Sequence, residues 1–168
     1  MNEYVAISSK DATWSFHNIT QGVKLTQIKA DDEIHSIQFH PDGLMMGTGH
    51  KNGVIRIWDV RAQKGIKDLN AYQGEVCSLT FSNKGLIFGA AWRNSETSRL
   101  FDLRKMDVAL AELVNEKGSV VNTVDFDSTG AYFVQGTGNG LKMHAGKTWT
   151  DVVASYDTLH DGLINSVR

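Results

Sequence analysis

Ile34-His35-Ser36-Ile37-Gln38-Phe39 is followed by Val76-Cys77-Ser78-Leu79-Thr80-Phe81 and by Val121-Asn122-Thr123-Val124-Asp125-Phe126. Each copy reads as a β-branched residue, any residue, Ser or Thr, an aliphatic residue, any residue and Phe. A fourth copy opens at Ile164-Asn165-Ser166-Val167-Arg168 and ends one residue before its Phe. The starts lie 42, 45 and 43 residues apart, within the roughly 40 to 45 residue period of arrays of four-stranded blades.

Working outward, each Phe stands four residues before a turn glycine, in Phe39-His40-Pro41-Asp42-Gly43, Phe81-Ser82-Asn83-Lys84-Gly85 and Phe126-Asp127-Ser128-Thr129-Gly130. Pro fixes φ, Asp, Asn and Ser bond their own backbone, and Gly tolerates positive φ, so these are hairpin turns. A second apolar strand ending in small residues follows each turn, at 44–49, 86–91 and 131–138. A third strand then ends at Trp58-Asp59, Phe101-Asp102 or Met143-His144. At the start of the chain, 4–9 fits a second strand and 13–17 a third, with Phe16 in the Trp position. Phe16, Trp58, Phe101 and Met143 then fall 42, 43 and 42 residues apart. Outer strands are expected at 65–69 and 107–113. The stretch 108–114 taken alone has helical propensity, which the repeat overrides.

The expected fold is all-β: a partial β-propeller with about three complete blades and two partial ones, drawn from a larger ring. The blades are 34–75, 76–120 and 121–163, with the second to fourth strands of another at 1–33 and the first strand of a further one at 164–168, all in one domain. An open arc of this kind leaves sheet faces and edges uncovered, so the expectation is a fragment of a longer protein or a truncated gene model.

The composition limits the function classes. The 168 residues carry 17 basic and 19 acidic side chains, for a net charge of −2. No basic run exceeds Arg104-Lys105, which removes the electrostatic footprint of a nucleic-acid or membrane-surface binder. The first residues, MNEYVAISSKDATW, lack a basic region followed by an apolar one, and no long apolar run occurs, so a soluble, unsecreted protein is expected. The one cysteine, Cys77, fits a reducing compartment and a half-buried strand position.

With these residues in view, the chain resembles the WD-repeat β-propeller family, whose blades carry Gly-His near the start and Trp-Asp at the end of the third strand. The histidine position is held by Ala30, Tyr72, Lys117 and His160, and the turn acid is replaced by Asn52, Ser95 and Thr137. No blade keeps the family's full His, Ser/Thr, Asp, Trp network, so heavier reliance on apolar packing is expected.

Further segments resemble the propellers of spliceosomal U-box ubiquitin ligases. They are residues 38–44 with Gly47-Thr48-Gly49, Ile55-Arg56-Ile57-Trp58-Asp59, Leu100-Phe101-Asp102-Leu103-Arg104-Lys105, Phe126-Asp127-Ser128-Thr129-Gly130 and Lys147-Thr148-Trp149-Thr150. That resemblance implies a seven-bladed ring and a nuclear parent protein in pre-mRNA splicing and DNA-damage responses. It also implies a catalytic U-box and a coiled coil for oligomerisation outside this chain, and splicing-complex subunits or ubiquitination substrates as partners. Trp58-Asp59-Val60-Arg61 and Phe101-Asp102-Leu103-Arg104 equally resemble the Trp-Asp-x-Arg box of substrate receptors for cullin-RING ligases. The alternatives are therefore such a receptor or a general WD-repeat scaffold.

No catalytic, cofactor or metal site is expected. The six histidines show no metal-binding spacing. Gly47-Thr48-Gly49 runs into a strand and not into a helix N-terminus able to receive an anion. Loops on a rigid scaffold are where function concentrates. The candidate partner-binding residues are therefore those of the rim where first strands begin and second and third strands meet: Glu33, His35, Lys51, Glu75, Arg93, Asn122, His160 and Asp161. Trp58 and Trp149 are read as packing residues, and Arg61 and Arg104 as partners of the preceding aspartates or of a neighbouring blade's backbone carbonyls.

Overall fold

A computed structural model describes residues 3–70 and 72–167. Among them, fifteen strands form four antiparallel sheets. The first holds β1 (Tyr4–Ser8), β2 (Thr13–Asn18) and β3 (Val23–Lys29). The second holds β4 (Ile34–Phe39), β5 (Met45–His50), β6 (Val54–Asp59) and β7 (Lys64–Asn70). The third holds β8 (Val76–Phe81), β9 (Ile87–Trp92), β10 (Thr97–Asp102) and β11 (Ala111–Val114). The fourth holds β12 (Val121–Phe126), β13 (Tyr132–Thr137), β14 (Gly140–Ala145) and β15 (Val152–Tyr156). Strands pair in chain order in every sheet, and the four sheets make a partial β-propeller.

The three hexapeptides are β4, β8 and β12. Each is closed into a hairpin by its turn glycine, at φ 71° for Gly43, 70° for Gly85 and 69° for Gly130. That left-handed conformation suits a residue without Cβ. The 108–114 stretch yields β11, with Ala111 and Leu113 buried and Glu112 and Val114 exposed. A period-two burial pattern and the ladder to β10 override its helical propensity. Ile164–Val167 joins no strand ladder among the described residues. Its Ile164 and Val167 N–H groups donate to the Gly138 carbonyl and Thr123 Oγ1 at 2.6 and 3.4 Å. Arg168 lies outside the described residues.

The sheets stack in sequence, and a core fills each of the three junctions. Trp14 of the first sheet and Ala30, just after it, meet Ile34, Met46 and Trp58 of the second. Ile55, Ile57 and Leu69 meet Val76, Leu79, Phe81, Phe88 and Trp92 of the third. Leu100, Ala111 and Leu113 meet Val121, Val124, Phe133 and Trp149 of the fourth. The small residues of the second strands follow from this stacking. A Cβ on Gly47 would lie 2.6 Å from Leu79 Cδ2, and one on Gly89 would overlap Phe133. The next blade's side chains press on bare backbone there, as close packing requires.

Candidate partner-binding rim

The same irregularity recurs at the start of three first strands. The β4–β5, β8–β9 and β12–β13 ladders each shift register between the first and third residues of the repeat motif, at Ile34/Ser36, Val76/Ser78 and Val121/Thr123. A β-bulge leaves one residue out of the ladder and re-aims its side chain. The displaced residues are His35, Cys77 and Asn122, so the repeat places three equivalent side chains at one end of the sheets.

Around His35 the bulge assembles a chain of charges across two blades. Its Nε2 lies 3.3 Å from Glu33 Oε2 and its Nδ1 3.0 Å from Glu75 Oε1. Lys51 Nζ lies 2.8 Å from Glu33 Oε1, and Arg93 Nε 2.6 Å from Glu75 Oε1. The backbone repeats the pairing, because Lys51 N–H donates to the Glu33 carbonyl and Arg93 N–H to that of Glu75. Hydrogen bonding by Lys51 holds the Glu33 carboxyl below the usual carboxylate range and raises the ammonium in return. Cys77 lies beneath, its thiol 3.8 Å from the Val121 carbonyl, and burial pushes its pKa up to about 11.

Five of the eight sequence-derived rim residues thus form one connected group: Lys51, Glu33, His35, Glu75 and Arg93. Asn122 occupies the equivalent bulge of the fourth sheet, and its side-chain nitrogen is buried with no hydrogen-bond partner. His160 is exposed and its N–H reaches the carbonyl of Asn139 in the β13–β14 turn at 3.3 Å. That is the same end of the sheets, without a link to the charged chain. Asp161 is exposed. Among the described residues no group of three or more His, Cys, Asp or Glu side chains could hold a metal ion.

The two Trp-Asp-x-Arg-like segments differ. Arg104 folds back on Asp102 with bonds of 2.9 and 2.6 Å. Arg61 is exposed and forms no ion pair among the described residues; Asp59 Oδ1 accepts the Ala62 N–H instead.

One expectation is corrected by the geometry. The polar network of the second blade is present, with its parts permuted. Trp58 Nε1 donates to Thr48 Oγ1 at 2.8 Å, Thr48 Oγ1 meets His50 Nε2 at 2.9 Å, and His50 Nδ1 reaches the Asp32 carbonyl at 3.2 Å. Asp32 Oδ2 accepts the N–H of Asn52 in the β5–β6 turn. The histidine comes from the end of β5 and the acid from the loop before β4, exchanging the family's places for them. The pattern Thr48-x-His50 was the available signal. In the fourth sheet His144 Nε2 meets Gln135 Oε1 at 3.0 Å, and Gln135 Nε2 donates across the junction to Ser98 Oγ at 2.6 Å. Buried polar groups are satisfied in the second blade rather than replaced by apolar ones.

Meandering sheets stacked in sequence, a period near 43 residues and a Trp–Thr–His chain define the class: this is a WD-repeat β-propeller chain. The WD40 domain of anaphase-promoting complex subunit 4 matches residues 5–84. Within that class the chain resembles pre-mRNA-processing factor 19. It is 34% identical to pre-mRNA-processing factor 19 homolog 2 of Arabidopsis thaliana over 134 residues, covering 78% of this chain and 24% of that protein. It is 32% identical to pre-mRNA-processing factor 19 of Bos taurus over 168 residues (98% and 32%), and 32% identical to that of Homo sapiens over 163 residues (95% and 31%). The chain spans about a quarter to a third of the length of these curated relatives.

Proposed function

We propose that this chain is the protein-recognition propeller of a ubiquitin ligase resembling pre-mRNA-processing factor 19, and that the rim around His35 is its contact face for splicing-complex subunits or ubiquitination substrates. The observation that carries the reading is the connected chain Lys51–Glu33–His35–Glu75–Arg93 at bulged strand starts, on a scaffold resembling that factor. In this reading the whole protein is nuclear, acts in spliceosome activation and DNA-damage responses, transfers ubiquitin through a U-box outside this chain and oligomerises through a coiled coil. The propeller itself contributes binding and no catalysis.

The test is affinity capture of the full-length protein from nuclear extract, wild type against Lys51→Glu/Arg93→Glu. Splicing proteins retained by the wild type and depleted by charge reversal are the expected result. Equal capture by both removes the rim from the reading.

The exposure of Arg61 favours a second reading, contact with a cullin-RING adaptor through the Trp58-Asp59-Val60-Arg61 box. Adaptor binding that disappears on Arg61→Ala supports it, and capture of splicing proteins without any adaptor counts against it.

A further inference from the structure

The charges of the rim are unequally committed. Each carboxylate serves two partners, Glu33 taking Lys51 and His35, Glu75 taking His35 and Arg93. Each cation serves one. The cations are also the outer members, with side chains 55% and 57% exposed for Lys51 and Arg93 against 33% and 20% for Glu33 and Glu75. An ammonium carries three donors and a guanidinium five. Among the described residues Arg93 uses only its Nε, so its two terminal nitrogens remain for another acceptor. Both contacts of Glu75 fall on Oε1, which leaves its other oxygen as an acceptor, but on the more exposed members of the chain the open hydrogen-bonding capacity is donor capacity.

We propose that the rim receives aspartate or glutamate side chains from an acidic segment of a partner protein. The terminal guanidinium nitrogens of Arg93 and the Lys51 ammonium are the charged donors. This rests on the rim reading given above and adds the chemistry of the partner. A basic segment would meet carboxylates that are already paired with Lys51 and Arg93 and less exposed than those cations. A nucleic acid would meet two cations interleaved with two acids on a chain of net charge −2, without the run of cations that phosphate tracking demands. Arg suits the carboxylate because its planar fork binds both oxygens at once.

The test is fluorescence anisotropy on the full-length protein with three labelled probes: an Asp/Glu-rich peptide, its Asn/Gln counterpart and a single-stranded RNA. The acidic peptide is expected to bind, to weaken as salt screens the exposed cations, and to lose about tenfold or more in affinity in Lys51→Gln/Arg93→Gln. These neutral variants avoid the like-charge clash of charge reversal, and equal thermal midpoints establish that they fold. Equal binding of the amide peptide, unchanged affinity in the neutral variant, or tighter binding of RNA at the same residues overturns the proposal. If the acidic peptide is ignored while Lys51→Glu/Arg93→Glu still abolishes partner capture, the acidic chemistry falls and the rim stands. If the peptide binds through Arg93 while capture is unaffected, the chemistry stands and the rim is not the face that holds the splicing proteins.

Discussion

Trp58 donates its indole N–H to the hydroxyl of Thr48 at 2.8 Å across the β5–β6 pair, with 4% and 0% of the two residues exposed. Trp58 also packs edge-on to Trp14 of the preceding sheet, 5.5 Å between ring centroids. The pair therefore joins a hydrogen-bond chain within one blade to the apolar junction with its neighbour.

Trp58→Ala removes both links and opens a cavity, so a loss of about 3 to 5 kcal/mol is expected. Thr48→Val keeps the volume and strands the Trp58 N–H and His50 Nε2, an expected loss of about 1 to 3 kcal/mol for each group left unpaired. Denaturant unfolding of the full-length protein measures both. A loss below about 1 kcal/mol for Trp58→Ala would contradict the buried placement.

Two imidazoles make stability depend on mild acid. Burial is the first cause that lowers the pKa of His50 and of His144 from the ordinary 6.5. For a histidine depressed in this way, the contribution to stability is complete above the unfolded value and lost as pH falls through the folded one. Depressed carboxylates such as Asp68, paired with Arg56, and Asp102, held at about 2 by Arg104, respond only below the ordinary carboxylate range. A falling thermal midpoint between about pH 6.5 and 5 therefore belongs to the histidines. His50→Gln/His144→Gln should flatten that slope, and a wild type already flat there would refute the assignment.

Gly85 is constrained twice. Its φ is 70°, and a Cβ there would overlap the His40 ring, which lies against the Gly85 carbonyl with Nε2 2.7 Å from the oxygen. Gly85→Ala is expected to cost about 1 to 3 kcal/mol in backbone strain, plus the cost of displacing His40. His40→Ala in the same chain removes the overlap and leaves the strain. The two substitutions should thus be less damaging together than their separate losses summed, and strict additivity would show that the ring and the glycine do not meet.

The first strands were legible because three independent signals coincide in them: β-branched alternation, the terminal Phe and a glycine four residues on. β11 was less so, since its four residues lie in a stretch of helical propensity and acquire period-two burial only on the ladder with β10. The polar chain of the second blade escaped a position-by-position reading because His50 and Asp32 have exchanged the family's places for acid and imidazole while keeping the connection to Trp58. The rim residues could be named from the repeat alone. Their pairing across blades could not, because it depends on the bulges that turn His35 between carboxylates of two different sheets.

Cys77 shares that bulge position, and the local environment decides its reactivity. Burial raises its pKa to about 11 from an ordinary 9.0, opposed in part by the charge of Arg93. The thiolate is the nucleophile in alkylation. At neutral pH the folded protein should hold about a hundredfold less of it than an exposed thiol, and reaction with iodoacetamide should slow accordingly. Removing the Arg93 charge in Arg93→Gln withdraws the opposing influence and should slow it further, whereas denaturant should restore the ordinary rate. Mass-spectrometric labelling of the Cys77 peptide follows all three conditions. Native labelling at the denatured rate would place the thiol in solvent and contradict its contact with the Val121 carbonyl.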